Sequence, residues 1–151
     1  MGIMEVISGH ASLEDVVCKD PTTQMEFLPV VLKSALADSY EILASNAMAK
    51  LFDDLQKIYE VVVVDLSPLA PIVDVSATTH FVGSYVLVVE WGRTKVDIVK
   101  HALRSVPGVH ELTLGAVLNK VDLKRVSKYD SHLSGYYYNT HDRRYGLSDT
   151  Y

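Results

Sequence analysis

Short apolar runs alternate along the chain with stretches whose apolar residues recur every three or four positions. Val61-Val62-Val63-Val64, closed by Asp65, is an unbroken β-branched run of the kind that fills a strand buried on both faces of a parallel sheet. Tyr85-Val86-Leu87-Val88-Val89 and Leu112-Thr113-Leu114-Gly115-Ala116-Val117-Leu118 have the same character, and Met25 to Val31 predicts a shorter buried strand interrupted by Pro29. Between them, Asp38 with Glu41 opens a helix carrying Ala44, Met48, Leu51, Leu55 and Ile58 on one face. Thr94 with Asp97 opens another, with Val96, Val99, Leu103 and Val106 aligned until Pro107-Gly108 stops it. Ser12-Leu13-Glu14-Asp15 has capping-box spacing and predicts a short helix ending near Cys18. Strands alternating with helices imply right-handed βαβ crossovers, hence an α/β fold with a parallel sheet flanked by helices.

From Lys124 onward the periodicity stops, and Tyr129, Tyr136, Tyr137, Tyr138, Tyr145 and Tyr151 stand among Ser, Gly, Asp, Asn and Arg. Residues 1–123 therefore read as one domain and 124–151 as a flexible, tyrosine-rich tail. With 151 residues, 48% of them hydrophobic, the chain is long enough for a single core. Its net charge of -5 argues against nucleic acid as a partner. Cys18 is the only cysteine, which excludes an intrachain disulfide and suits a cytoplasmic setting. The six histidines lack metal-ligand spacing, so no metal is assigned to them. No apolar run approaches the ~20 residues of a membrane helix, and the amino terminus lacks a signal peptide's basic and apolar regions. Direct membrane insertion and export are not expected.

In open parallel sheets ligands bind beyond the carboxyl ends of the strands, which is where Asp65, Glu90 and Asn119 fall. An acid after four apolar strand residues is the Walker B arrangement, in which the carboxylate reaches Mg2+ beside nucleotide phosphates, and Asp65-Leu66-Ser67-Pro68 follows it. Asp65 by itself equally suits an acid that meets solvent or caps the next helix. Asn119-Lys120-Val121-Asp122 matches the NKxD motif that reads guanine, and equally suits a polar exit from a strand.

Taken in order, several segments resemble one family. They are Gly2 to Gly9 (GIMEVISG), Asp38 to Leu43 (DSYEIL), Asp65 to Asp74 (DLSPLAPIVD), Val88 to Thr94 (VVEWGRT) and Gly115 to Asp122 (GAVLNKVD). They are similar to the GLxxxLxG, NPxELLxS, DxPPxxxxxD, VVxxGxT and GxVLNxxD blocks of the bacterial tyrosine kinases of capsule and exopolysaccharide synthesis, which end in a tyrosine cluster. The tail looks most like that of the rhizobial succinoglycan-type branch. The resemblance implies a P-loop fold, ATP and Mg2+ as cofactors, and a Walker B role for Asp65 with Pro68 beside it. It places Asn119 and Asp122 near the base and Asp74 on the phosphate side, and makes the tail tyrosines phosphate acceptors. The implied partners are an intact tyrosine kinase or polysaccharide copolymerase subunits, with a tyrosine phosphatase to reverse the modification.

The chain departs from that pattern in ways that bear on activity. It has no GxxxxGK[ST], hence no backbone cradle for phosphates and no lysine reaching them. The DxDxR acidic motif and the membrane portions of fused members are absent, residues 30–37 diverge, and Ser67 replaces the first proline of the PP pair. The expected function is accordingly a truncated or split kinase-like protein, a partial P-loop fold without its phosphate-loop strand and inactive alone. It would reach the inner face of the membrane through a partner. A noncatalytic module phosphorylated by an intact kinase or copolymerase is one alternative, and a GTPase-like or partitioning-ATPase fragment another.

Overall fold

The computed structural model describes residues 1–31, 39–69, 74–123 and 125–126. The chain opens with α1 (Ile3–Ile7) and α2 (Leu13–Val16), followed by a small antiparallel pair, β1 (Cys18–Lys19) and β2 (Glu26–Phe27). Two helices come next, α3 (Ser39–Leu43) and α4 (Asn46–Ile58), and then a 3-10 turn over Asp74–Thr78. Strand β3 (Tyr85–Glu90), helices α5 (Val96–Ser105) and α6 (Pro107–Glu111) and strand β4 (Thr113–Asn119) complete the order. β3 and β4 are parallel, and the crossover between them is helical, the connection a parallel pair requires. The expected α/β class with a parallel sheet is present.

The capping box at the start of α2 forms as the sequence predicts: the Ser12 amide donates to Asp15 Oδ2 at 3.0 Å and the Asp15 amide to Ser12 Oγ at 3.3 Å. Other elements differ from expectation. Met25 to Val31 is no buried strand; only Glu26–Phe27 pairs, and Met25 and Phe27 are exposed. The one long helix is two, because the Ser45 hydroxyl donates to the Ile42 carbonyl at 2.7 Å and accepts from the Met48 amide at 3.2 Å. One side chain thus closes α3 and caps α4. Met48, Leu51 and Leu55 are buried as predicted, joined by Phe52, but Ala44 and Ile58 are exposed. Asp38, the expected start of that helix, lies outside the described residues. At α5 the cap is Lys95 rather than Thr94, Val96 is exposed, and Pro107 begins α6 instead of ending the helical path.

The largest departure concerns the strands. Residues 61–68 belong to no ladder among the described residues, and the burial of 61–67 alternates instead of being continuous. Val62, Val64 and Leu66 pack inward while Val61, Val63 and Asp65 face out. β3 buries only Tyr85 and Val89 fully, and β4 buries none of its residues. The expected burial on both faces fails because no helix among the described residues covers the second face of the sheet.

Two clusters make the core. In the first, α4 contributes Met48, Leu51, Phe52 and Leu55, and Phe52 stacks on Phe81 with ring centroids 4.2 Å apart. Ile3, Val6 and Ile7 of α1 close over it. That approach is tight: the Ile3 amide donates to the Pro29 carbonyl at 2.8 Å, and a Cβ on Gly2 would lie 2.2 Å from the same oxygen. The second cluster joins Val75, Tyr85, Val106 and Val109 around Thr78, which is fully buried. The Thr78 hydroxyl donates to the Val75 carbonyl at 2.6 Å and lies 2.7 Å from the Tyr85 hydroxyl. Since Thr78 has one proton and gives it to Val75, Tyr85 supplies the proton of the second bond.

Gly2→Ala should destabilise the chain by about 1–3 kcal/mol, because backbone atoms must move to admit the methyl group. A urea midpoint unchanged from the parent would refute this account of the α1–Pro29 contact. Burial pushes the Tyr85 phenol above its ordinary range. A raised phenol pKa stabilises the fold while the unfolded phenol is still protonated, and that stabilisation is lost as pH rises past about 10. Thermal melts of Tyr85→Phe should therefore fall less steeply than the parent's between about pH 9 and 11; parallel curves would count against a buried, protonated Tyr85.

Candidate functional site

Parallel pairing brings the carboxyl ends of β3 and β4 to one edge, with Glu90 in register with Asn119. The Trp91 amide continues the ladder by donating to the Asn119 carbonyl at 2.9 Å. Lys120 follows with a positive φ of 56°. In that turned conformation its amide donates to Asn119 Oδ1 at 2.9 Å, and its ammonium lies 3.3 Å from Glu90 Oε1. Arg93 approaches the other carboxylate oxygen at 3.4 Å. Glu90 is thus bracketed by two cations, and Asn119 has its side-chain oxygen committed to the backbone.

Asp65 lies within the inward–outward alternation of 61–67 and is exposed, as is Pro68. Asp74 opens the 3-10 turn, and its carboxylate accepts from the Ser39 hydroxyl, tying α3 to that turn. Asp122 does not present a free carboxylate for a base. Oδ1 accepts from the Arg125 amide at 3.2 Å, and Oδ2 lies 3.3 Å from Arg125 Nε, as in a helix cap. The structure therefore brings together Glu90, Asn119 and Lys120, while Asp74 is engaged by Ser39 and Asp122 by Arg125. Tyr129, Tyr136, Tyr137, Tyr138, Tyr145 and Tyr151 lie outside the described residues.

Sequence reasoning overlooked Lys120 and Arg93 as the partners of Glu90. Arg93 was findable as an acid–base pair three residues apart on a turn; Lys120 becomes a neighbour only through strand register. Ser39 as the partner of Asp74 had no signal, being 35 residues away.

The donor set fits Mg-ATP only in part. Mg2+ takes one or two protein carboxylates together with substrate phosphates and water, and here one exposed carboxylate, Asp65, is available while Glu90 is neutralised. Among the described residues no group of three His, Cys, Asp or Glu side chains converges on a metal position. With no GxxxxGK[ST] to hold phosphates, the residues present do not make a complete nucleotide site. Among the described residues no helix is long and apolar enough to cross a membrane.

No protein-family model matches the chain. Individual relatives do. The succinoglycan biosynthesis transport protein ExoP of Rhizobium meliloti is 38% identical over 85% of this chain, which corresponds to 16% of ExoP. The tyrosine-protein kinase CpsD of Streptococcus agalactiae serotype III is 27% identical over 80% of the chain and 51% of its own length. The putative tyrosine-protein kinase CapB of Staphylococcus aureus is 31% identical over 65% of the chain. Among solved structures, the VpsO kinase domain superposes with a TM-score of 0.71 over 80% of this chain and 59% of its own, at 24% identity. The chimerical protein CapA2B2 gives 0.69, again over 80% of this chain. The chain spans about half the length of the streptococcal kinases and a small part of ExoP. The shared fold, the order of the matching blocks and the 38% identity to ExoP together place the chain in the bacterial tyrosine-kinase family of capsule and exopolysaccharide synthesis, as a relative of part of its members' length.

Proposed function

We propose that this chain is a partial kinase-like domain of exopolysaccharide synthesis, residues 1–123, followed by a tyrosine-bearing tail, 124–151, and that residues 1–151 by themselves are inactive and act only with a phosphate-binding loop supplied from outside them. The observation that carries the reading is the edge where β3 and β4 end in register, with Asn119 held open by its own backbone bond and Glu90 neutralised. ATP and Mg2+ belong to the family's chemistry. In a completed pocket, Asp65 with Pro68 beside it would face the metal through water, Asn119 and Asp122 the base, and Asp74 would hold the phosphate side through its bond to Ser39. Asp122 would have to release Arg125 to do so.

Phosphoryl transfer to a tyrosine hydroxyl, whose pKa is near ~10, depends on positioning and charge neutralisation more than on a strong base. Tail tyrosines presented to a neighbouring subunit meet that requirement. The chain would then work at the inner face of the membrane through an intact kinase or copolymerase subunit, with a tyrosine phosphatase resetting it. The lack of GxxxxGK[ST] also favours a second reading, a noncatalytic module that only accepts phosphate from such a kinase. The guanine-reading alternative loses support from Asp122, whose carboxylate caps its own turn.

The purified chain should show no upward thermal shift with millimolar Mg-ATP; a ligand at 100 times its Kd would add ~2.7 kcal/mol of stability, and a shift of that size would overturn the claim of an incomplete site. Incubated with Mg-ATP alone it should form no phosphotyrosine. With an intact CpsD-type kinase, mass spectrometry should find phosphate on tyrosines within 129–151. Modification that persists when the added kinase is intact but Asp65→Asn is present here would favour the acceptor-only reading; modification lost with Asp65→Asn would favour a shared pocket.

A further inference from the structure

β4 pairs with β3 along one side, and its other edge has no partner among the described residues. One bond fixes the direction of its backbone groups. The Asn119 carbonyl accepts from the Trp91 amide, and along a strand these groups turn to alternate sides, so Asn119, Val117 and Gly115 direct theirs to β3. Ala116 and Leu118 therefore present their amides and carbonyls at the open edge, the arrangement that templates another strand. The side chains there are equally unfinished. Leu118 stands level with Val89, yet Val89 is buried and Leu118 is 57% exposed, so the cover over this face stops between the two strands. On the opposite face Val117 is 52% exposed. Edges that stay open in solution are usually guarded by a charge, a proline or a bulge. From Thr113 to Asn119 there is no charge and no proline, and the one irregularity, the register shift beside Tyr85, lies at the strand's beginning. Gly115 has no positive φ, and a Cβ there would meet nothing within 4 Å, so it leaves room for the close approach of something outside the chain's own packing.

This strand is its own complement. Turned antiparallel about a two-fold axis through Val117, a second copy sets its Leu118 opposite Ala116, and the axis repeats the pair. These are the residues whose amides and carbonyls face outward, so each pair exchanges both backbone hydrogen bonds. A register one residue either way would set outward-facing groups against groups already bonded to β3. The small Ala116 side chain leaves space for the leucine across from it, Val117 meets its own copy on the other face, and Gly115 accommodates Asn119. The strand is uncharged, so the copies meet without like-charge repulsion at the contact although each chain carries a net -5. A foreign strand could use the backbone groups but would lack this matching of side chains. We propose that the free edge of β4 is a homodimer interface, in which two copies of this chain pair antiparallel through Ala116, Val117 and Leu118 into one continuous sheet. Antiparallel pairing points the two Glu90–Asn119 rims in opposite directions, so both stay open. The interface rests on no step of the kinase reading.

The test uses the full chain in solution. Sedimentation from micromolar to millimolar concentration should show a monomer–dimer equilibrium that stops at two copies. Over the same range, hydrogen exchange of the Ala116 and Leu118 amides should slow, while those of Val117 and Asn119, directed to β3, hold constant. Leu118→Lys, at an exposed position, should weaken association at least tenfold and leave the thermal transition of the dilute chain where it was. With the exposed Cys18 replaced as Cys18→Ser, Val117→Cys should form an intermolecular disulfide under oxidised glutathione, because its copy lies across the axis. Val86→Cys, exposed on the same face of β3, should not. A chain that stays monomeric throughout would overturn the interface. So would Ala116 and Leu118 amides protected equally at every concentration, which would assign the edge to another part of this chain. Equal cross-linking at Val86 and Val117 would mean face-to-face stacking, and growth beyond two copies would mean an open edge without the two-fold axis; either result overturns it too. If Leu118→Lys misfolds, the exchange pattern of the parent chain still decides.

Discussion

Parallel pairing of β3 with β4 is the constraint from which the rest of the architecture follows. Two parallel strands cannot be joined by a tight turn, so the chain must leave at Glu90, cross through α5 and α6, and return at Thr113 in the same direction. That return aligns Glu90 with Asn119, and the alignment makes a polar edge from residues 29 positions apart. It also fixes where the second core cluster sits, because Tyr85 at the start of β3 must meet Val106 and Val109 of the crossover. The Thr78–Val75–Tyr85 hydrogen bonds keep polar groups satisfied at the centre of that contact, where an unpaired hydroxyl would cost about 1–3 kcal/mol.

The first cluster obeys a different logic. There the amphipathic α4 is the keystone, and α1, Phe81 and the inward side chains of residues 61–68 gather on its apolar stripe. The two clusters touch through Val82, which packs against both. Among the described residues the first cluster thus relies on helix packing and the second on the strand crossover.

Residues whose behaviour is set locally could be read from the sequence. The Ser12–Asp15 box, the apolar stripe of α4 and the runs that become β3 and β4 all depend on neighbours within a few positions. What could not be read depends on distant partners. The valine run at 61–64 has the composition of a central strand, but composition does not provide the adjacent strand that would make it one. β4 was expected inside and lies outside for the same reason: burial belongs to the assembled layers, not to the segment. Ser45 was masked by a periodicity that continues past the break, since one hydroxyl serving two helix ends leaves no mark on the apolar pattern. At the candidate site, the strand-end position of Glu90 and Asn119 was legible, whereas that of Asp65 was not met, and the cations around Glu90 and the capping use of Asp122 came from turn geometry.

Lys120 illustrates how a small backbone detail shapes an electrostatic environment. A non-glycine residue with φ of 56° sits in a left-handed conformation that disfavours side chains by about 1–2 kcal/mol. Glycine would be the relaxed choice, but it would remove the ammonium. By keeping a lysine there, the edge of the sheet sets Arg93 and Lys120 around Glu90, two positive charges about one negative in a chain whose net charge is -5. An approaching phosphate would meet at this rim a local excess of positive charge on a chain that is negative as a whole.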